Sequence, residues 1–200
     1  MFAGDFDYRP PAVAERWRKL GRAIFGEAPT RLVTVHPAPR MLLKEEFGRE
    51  PWLAFFGYQS SHGTDNARIT WITKTGPGGE WSKDPVRPII NLEPIYEAHS
   101  NGGRSQVATP LEVRQACWWS VLATPVAGVS YGAHGVWSWE TQAAAPMNHP
   151  RTGVARPWHE AIHLPGSTHM KHLRHILETV AWPRLRPAPG RGGAYVAGAF

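Results

Sequence analysis

The sequence predicts an α/β protein laid out as part of a (β/α)8 TIM barrel, truncated so that strands four to eight are present and the first three are missing. Three observations carry that prediction. Short apolar runs alternate with segments of helical spacing, each run ends in polar or charged residues, and only five runs occur in 200 residues, where a complete barrel takes about 250. The clearest run is Pro88-Ile89-Ile90-Asn91-Leu92, too short for a helix and apolar enough for a strand buried on both faces. Glu93 stands where the run stops, and Pro94 both ends the ladder and holds Glu93 extended. A carboxylate is thereby delivered to the carboxyl end of a parallel strand, where such sheets build their active sites. Asn91, Tyr96 and Glu97 gather around the same point.

In chain order, Phe2-Ala3-Gly4-Asp5 reads as the last residues of a strand that delivers Asp5 to the same end of the sheet. Pro10 and Pro11 mark a helix start, and Val13, Trp17, Leu20 and Ile24 recur at helical spacing to about Phe25. Arg31 to His36 is the next strand, with His36 at its end and Pro37 closing it. Trp52 to Phe56 forms a third, followed by Gly57-Tyr58-Gln59-Ser60-Ser61-His62. A short helix is expected over Asn66 to Lys74, broken by Gly76-Pro77-Gly78-Gly79. Thr109-Pro110-Leu111-Glu112 has the form of a capping box and opens a helix to about Leu122. Gly128 to Gly132 is the last strand, with the aromatic loop Ala133 to Trp139 beyond it. An amphipathic helix then runs from about Ser167 to Val180. Residues 1–183 make one domain, and 184–200 read as a loose tail of Pro, Gly, Ala and Arg.

Composition narrows the function classes. A content of 42% hydrophobic and 19% charged residues suits one globular unit. The formal charge of +6 invites a nucleic-acid reading, but the arginines are dispersed from Arg9 to Arg191 with no basic run or recognisable module, so no nucleic-acid partner is expected. No segment approaches membrane-span length, and Asp5 interrupts any signal-like apolar start, which predicts a cytoplasmic chain with no membrane partner. The single cysteine, Cys117, sits in an apolar run and reads as a buried small hydrophobe. Ten tryptophans are more telling, because flat amphipathic rings near strand ends make platforms for sugars. Trp17, Trp71 and Trp182 lie in helical patterns and are assigned to the core instead.

Five segments can be set side by side: Ala3-Gly4-Asp5, Val35-His36-Pro37, Gln59-Ser60-Ser61-His62, Asn91-Leu92-Glu93-Pro94-Ile95-Tyr96-Glu97 and Tyr131-Gly132-Ala133-His134-Gly135-Val136-Trp137. In this order and spacing they resemble the apiosidase-like family of TIM-barrel glycoside hydrolases, from Phe2 to about Pro187. The resemblance implies a retaining two-carboxylate mechanism on a plant or microbial polysaccharide-derived glycoside, with Asp5 as acid/base and Glu93 as nucleophile. That pairing suits the chemistry, since retention places two carboxyls about 5–5.5 Å apart across the scissile bond. His36, Gln59, His62, Tyr96, Glu97, Arg114, Tyr131, His134 and Trp137 are expected to bind the carbohydrate, Trp137 as stacking platform. No cofactor or metal is expected. Two departures stand out: Ala3 and Ser61 occupy positions where the family usually has glycine. The missing strands further predict impaired activity for this chain, and open sheet edges available for self-association.

Rival motifs point elsewhere. His159-Glu160-Ala161-Ile162-His163 spells the H-E-x-x-H pattern of zinc metalloproteases, but Pro157 and Pro165-Gly166 leave barely two turns of helix to hold it. Gly128-Val129-Ser130-Tyr131-Gly132 spells the nucleophile elbow of serine hydrolases, yet the glycine-broken aromatic segment after it cannot start the required helix. A non-catalytic carbohydrate-binding fragment is the third alternative.

Overall fold

A chain whose polar groups cluster at the ends of short apolar runs must place those ends together if the runs pair in parallel, and the computed structural model shows that they do. It describes residues 1–27, 30–63, 66–100 and 106–188. Its strands are β1 (Phe56–Gln59) and β2 (Ile89–Glu93), paired in parallel. Three further extended segments flank them. Residues 2–6 lie beside 33–38 through Phe2 N–H to Thr34 O, His36 N–H to Ala3 O and a parallel bridge between Phe6 and Pro37. Residues 33–38 lie in turn beside β1, and a parallel bridge from Asn91 to Val129 sets residues 128–133 against β2. The spatial order follows the chain order.

Five strands were expected, and among the described residues two form as such. The Thr34 side chain shows why the segment at 33–38 does not: its hydroxyl donates to Phe55 O at 2.8 Å and accepts from Gly57 N–H at 3.0 Å, standing in for backbone ladder bonds. Pro37, one residue past His36, has no N–H to continue the ladder. The segment at 128–133 is bounded by Gly128 and Gly132, which weaken a strand.

Helices fill the connections: α1 (Pro11–Phe25), α2 (Lys44–Phe47), α3 (Asn66–Thr70), α4 (Pro77–Glu80), α5 (Pro110–Leu122), α6 (Trp158–Ala161) and α7 (Pro165–Glu178). The helix expected over Asn66 to Lys74 is α3 continued by a π-helical turn, Trp71–Thr75. The capping box at Thr109 forms in both directions, with Glu112 N–H on the Thr109 hydroxyl and Thr109 N–H on the Glu112 carboxylate. α7 starts at Pro165, two residues earlier than the periodicity predicts, because Pro supplies the first-turn conformation. No described helix is long and apolar enough to cross a membrane. The tail expected from Arg184 lies, from residue 189 on, outside the described residues.

The core has two parts. One packs Tyr8, Val33, Phe47, Trp52, Tyr58 and Ile89 beneath α1, and the other packs Ile95, Val113, Cys117, Val121 and Leu173 between α5 and α7. Trp17 and Trp71 join the first part, half-buried. Trp182 is not core: it is 40% exposed, because the helical pattern it was read into ends at Glu178. Cys117 is buried, and burial pushes its thiol up to about 12.

Gly21 of α1 packs directly on the Trp52 indole, since an added Cβ would stand 2.3 Å from that ring. Helix propensity alone favours Gly21→Ala by about 1 kcal/mol, whereas overpacking against a fully buried ring costs about 1–3 kcal/mol. Packing wins, so thermal denaturation of Gly21→Ala is expected to show a lower Tm than the parent chain.

Candidate active site

Glu93 is the last residue of β2 and its carboxylate is 17% exposed. Ordinarily β1 and β2 would keep one register to the end. A bulge between Tyr58 and Gln59 instead leaves Leu92 unpaired and sets Gln59 opposite Glu93. Asn91 holds the bulge from below. Its amide donates to Ser60 Oγ (3.1 Å) and to Ser120 Oγ of α5 (2.9 Å), and its carbonyl accepts the Glu93 N–H (3.2 Å). Ser60 N–H then binds Glu93 O, which carries the following loop, and His62 with it, back over the carboxylate.

Each carboxylate oxygen of Glu93 meets one imidazole. His36 Nε2 donates to Oε2 at 3.1 Å and His62 Nε2 donates to Oε1 at 2.8 Å. Burial works against the Glu93 charge, but the two hydrogen bonds, together with imidazole charge, outweigh it and bring the carboxyl down to about 2. Glu93 is therefore ionised throughout the physiological range. Burial first, and then the nearby Glu93 charge, push the Tyr96 phenol well above its usual range.

Asp5 reaches the same end of the sheet from residues 2–6. It is exposed and accepts from Gln59 Nε2 at 2.7 Å, while the same amide nitrogen donates to Pro37 O at 2.9 Å. Pro37 O also lies 3.2 Å from His36 Nδ1. One hydrogen-bond chain thus joins the two carboxylates: Asp5, Gln59, the Pro37 carbonyl, His36, Glu93. Gln59 is 1% exposed with both amide protons committed, so its structural task is to orient Asp5.

A wall of rings rises beside Glu93. Tyr96 lies 4.5 Å from His62 and stacks on Trp137 at 6.3 Å, and Trp137 stacks in turn on His134 at 6.3 Å. Gly132 makes room, because a Cβ there would strike the Tyr96 ring at 2.1 Å. His134 is buried, with Nε2 3.1 Å from Thr152 Oγ1. The sequence reading missed His99, which sits among His62 (4.6 Å), His134 (5.3 Å) and Trp137 (6.1 Å). Burial, with His62 and His134 adding to it, lowers His99 to about 3, so its ring is neutral. It also missed His149, edge-on to Trp137 at 5.2 Å. The available signal for His99 was its place two residues past Glu97 on the Glu93 loop. Among the described residues, His62 Nδ1, His99 Nδ1 and Trp137 Nε1 are buried without hydrogen-bond partners.

Glu97, Tyr131 and Arg114 lie on or against the helices. Glu97 is 2% exposed and spends its carboxylate on Gly166 N–H at the start of α7 (2.9 Å) and on the Tyr131 hydroxyl (2.6 Å). The helix N-terminus stabilises that buried charge. Tyr131 is thereby turned toward α7. Arg114 lies half-buried on α5, and no hydrogen bond or ion pair among the described residues ties it to Glu93.

The rival motifs lose their geometry. α6 ends at Ala161, so His163 falls outside it, and both His159 and His163 are exposed. Among the described residues no group of three or more His, Cys, Asp or Glu could hold a metal ion. Ser130 Oγ donates to Leu92 O at 2.5 Å, and no α-helix follows it before α6.

The family model for the apiosidase-like catalytic domain matches residues 1–184. The chain belongs to the apiosidase-like family. Two solved structures are similar to it: a glycoside hydrolase family 5 protein from Bacteroides vulgatus, and a second protein described as a glycoside hydrolase. Each shares 26% identity with a TM-score of 0.71 over 88% of this chain. The chain spans 39% and 41% of their lengths, which agrees with a partial barrel. No curated protein matches it.

Within this apiosidase-like site, Ser61 holds φ +72°, the left-handed region that favours glycine. Relief of that strain, about 1–2 kcal/mol, exceeds the backbone entropy glycine adds, about 0.5–1 kcal/mol. Ser61→Gly is therefore expected to raise the urea midpoint while Ser61→Ala leaves it unchanged or lower.

Proposed function

We propose that this chain carries both carboxylates of a retaining glycoside hydrolase, with Glu93 as nucleophile and Asp5 as general acid/base. The observation that carries the reading is the Glu93 carboxylate, kept ionised by His36 and His62 at the end of a parallel strand. Asp5 is linked to the same strand end through Gln59. In this reading residues 2–6, 33–38, β1, β2 and 128–133 correspond to barrel strands four to eight.

Glu93 attacks the anomeric carbon as the glycosidic bond breaks, and the leaving oxygen takes a proton from Asp5. Water then attacks the glycosyl ester, gives its proton to Asp5 and frees the Glu93 carboxylate. Asp5, exposed at the rim, is placed to exchange protons with solvent between the two steps. Trp137 and Tyr96 offer apolar ring surface to the sugar. The substrate is a plant or microbial polysaccharide-derived glycoside, and the family's name makes an aryl apioside the first probe to try.

With an aryl glycoside, Glu93→Gln is expected to lower kcat about 10⁴-fold or more while sugar binding survives. Asp5→Asn should cost less than the roughly 10² to 10⁴-fold usual for general acid loss, because an aryl leaving group needs little protonation. Azide should rescue Asp5→Asn with retained and Glu93→Ala with inverted configuration, read by NMR of the glycosyl azide. Inverted product from Asp5→Asn exchanges the two roles, and unchanged turnover in both variants removes these carboxylates from the mechanism.

A further inference from the structure

His36 and His62 both bind Glu93, but their second ring nitrogens differ. His62 Nδ1 is buried with no partner among the described residues, so a single proton on Nε2 satisfies that ring. His36 Nδ1 faces the carbonyl oxygen of Pro37 at 3.2 Å while its Nε2 faces Glu93 Oε2 at 3.1 Å. Both neighbours are acceptors and neither can donate. A neutral imidazole carries one N–H, so either neutral tautomer would aim a lone pair at an oxygen inside a site where His36 is 6% exposed.

We propose that His36 is held as an imidazolium, and that its fixed charge makes Glu93 a good leaving group when the glycosyl-enzyme is hydrolysed. The charge assignment stands on hydrogen-bond geometry, and its catalytic use rests on the retaining reading above. In the first step Glu93 loses its negative charge to the new ester bond, which a neighbouring cation does not assist. In the second step water attacks the anomeric carbon, the C–O bond to Glu93 breaks, its electron pair returns to the carboxylate and the water proton passes to Asp5. A positive His36 stabilises that returning charge.

The groups around His36 agree with this. Glu93 faces it from β2 and the Asp5 charge from residues 2–6, whereas β1 contributes the uncharged Gln59, which shares the Pro37 carbonyl. His62 lies beyond Glu93 and shares its charge. Burial lowers the His36 imidazole, but the Glu93 hydrogen bond and charge, the Pro37 carbonyl and the Asp5 charge together more than reverse it, and the net shift is upward. A raised folded value means that the ionic pair is complete below the ordinary histidine range and is lost as pH rises through the His36 midpoint. On the acid side it is lost only as pH falls toward about 2 with Glu93.

The test is made on the full chain. Nitrogen-15 NMR of the histidine side chains at pH 6.5, where a free histidine is about half protonated, should show both His36 nitrogens protonated, and Glu93→Gln should move the His36 midpoint down. A His36 with one protonated nitrogen at that pH overturns the assignment. In steady-state kinetics on an aryl glycoside, His36→Gln keeps a donor for Glu93 without the charge. It should lower kcat about tenfold, with KM falling at least in step and kcat/KM unchanged or raised, because the charge that assists release of the glycosyl-enzyme opposes its formation. An equal fall in kcat and kcat/KM, or an alkaline limb in kcat/KM matching that in kcat, overturns the catalytic role. If the parent chain cleaves no glycoside, the glycosidase reading falls while the spectra still decide the charge.

Discussion

A carboxylate placed at the end of a buried strand must find compensating donors or give up its charge. Glu93 finds two, one on each oxygen, and much of the surrounding structure follows from that requirement. His36 has to arrive from the neighbouring segment at 33–38, and His62 from the loop after β1. That happens only if the segments are parallel, so that their carboxyl ends coincide. The Leu92 bulge then brings Glu93 level with Gln59, the residue that reaches across to Asp5. Charge compensation and sheet topology are in this sense one constraint.

Two further buried polar residues translate that constraint into rigid placement. Asn91 fastens β2 to Ser60 on one side and to Ser120 of α5 on the other, so the strand end cannot slide against its helix. Glu97, four residues past Glu93, fixes the start of α7 through Gly166 and holds the Tyr131 hydroxyl. The loop between them carries Tyr96, which is why the aromatic wall stands where it does. Backbone strain at Ser61 and Ala98, both at positive φ, falls on the two loops that deliver His62 and His99.

Elements with a local signal were legible in the sequence. The α1 periodicity, the Thr109 capping box and the apolar run before Glu93 all express chemistry within a few residues, and each was placed within a residue or two of its position. The parallel order of the segments and the meeting of His36 and His62 on Glu93 could be reasoned from polar strand ends. What failed depends on partners distant in sequence. Nothing near Thr34 announces that its hydroxyl replaces ladder bonds to the next strand. Nothing near Glu97 reveals that it is spent on a helix that begins at Pro165. His99 was passed over because its neighbours in space come from two segments distant in sequence, at His62 and at His134 to Trp137. Trp182 looked apolar and helical, yet the helix ends before it.

The central claim is that Glu93 bonds covalently to the sugar, and trapping tests it most directly. An activated 2-deoxy-2-fluoro aryl glycoside slows both steps but leaves the glycosyl-enzyme long-lived, so the labelled residue can be located by peptide mass spectrometry. The account predicts a single adduct on the peptide containing Glu93, absent from Glu93→Gln and relieved slowly by water. An adduct on Asp5, or steady hydrolysis with no adduct on any residue, would contradict it.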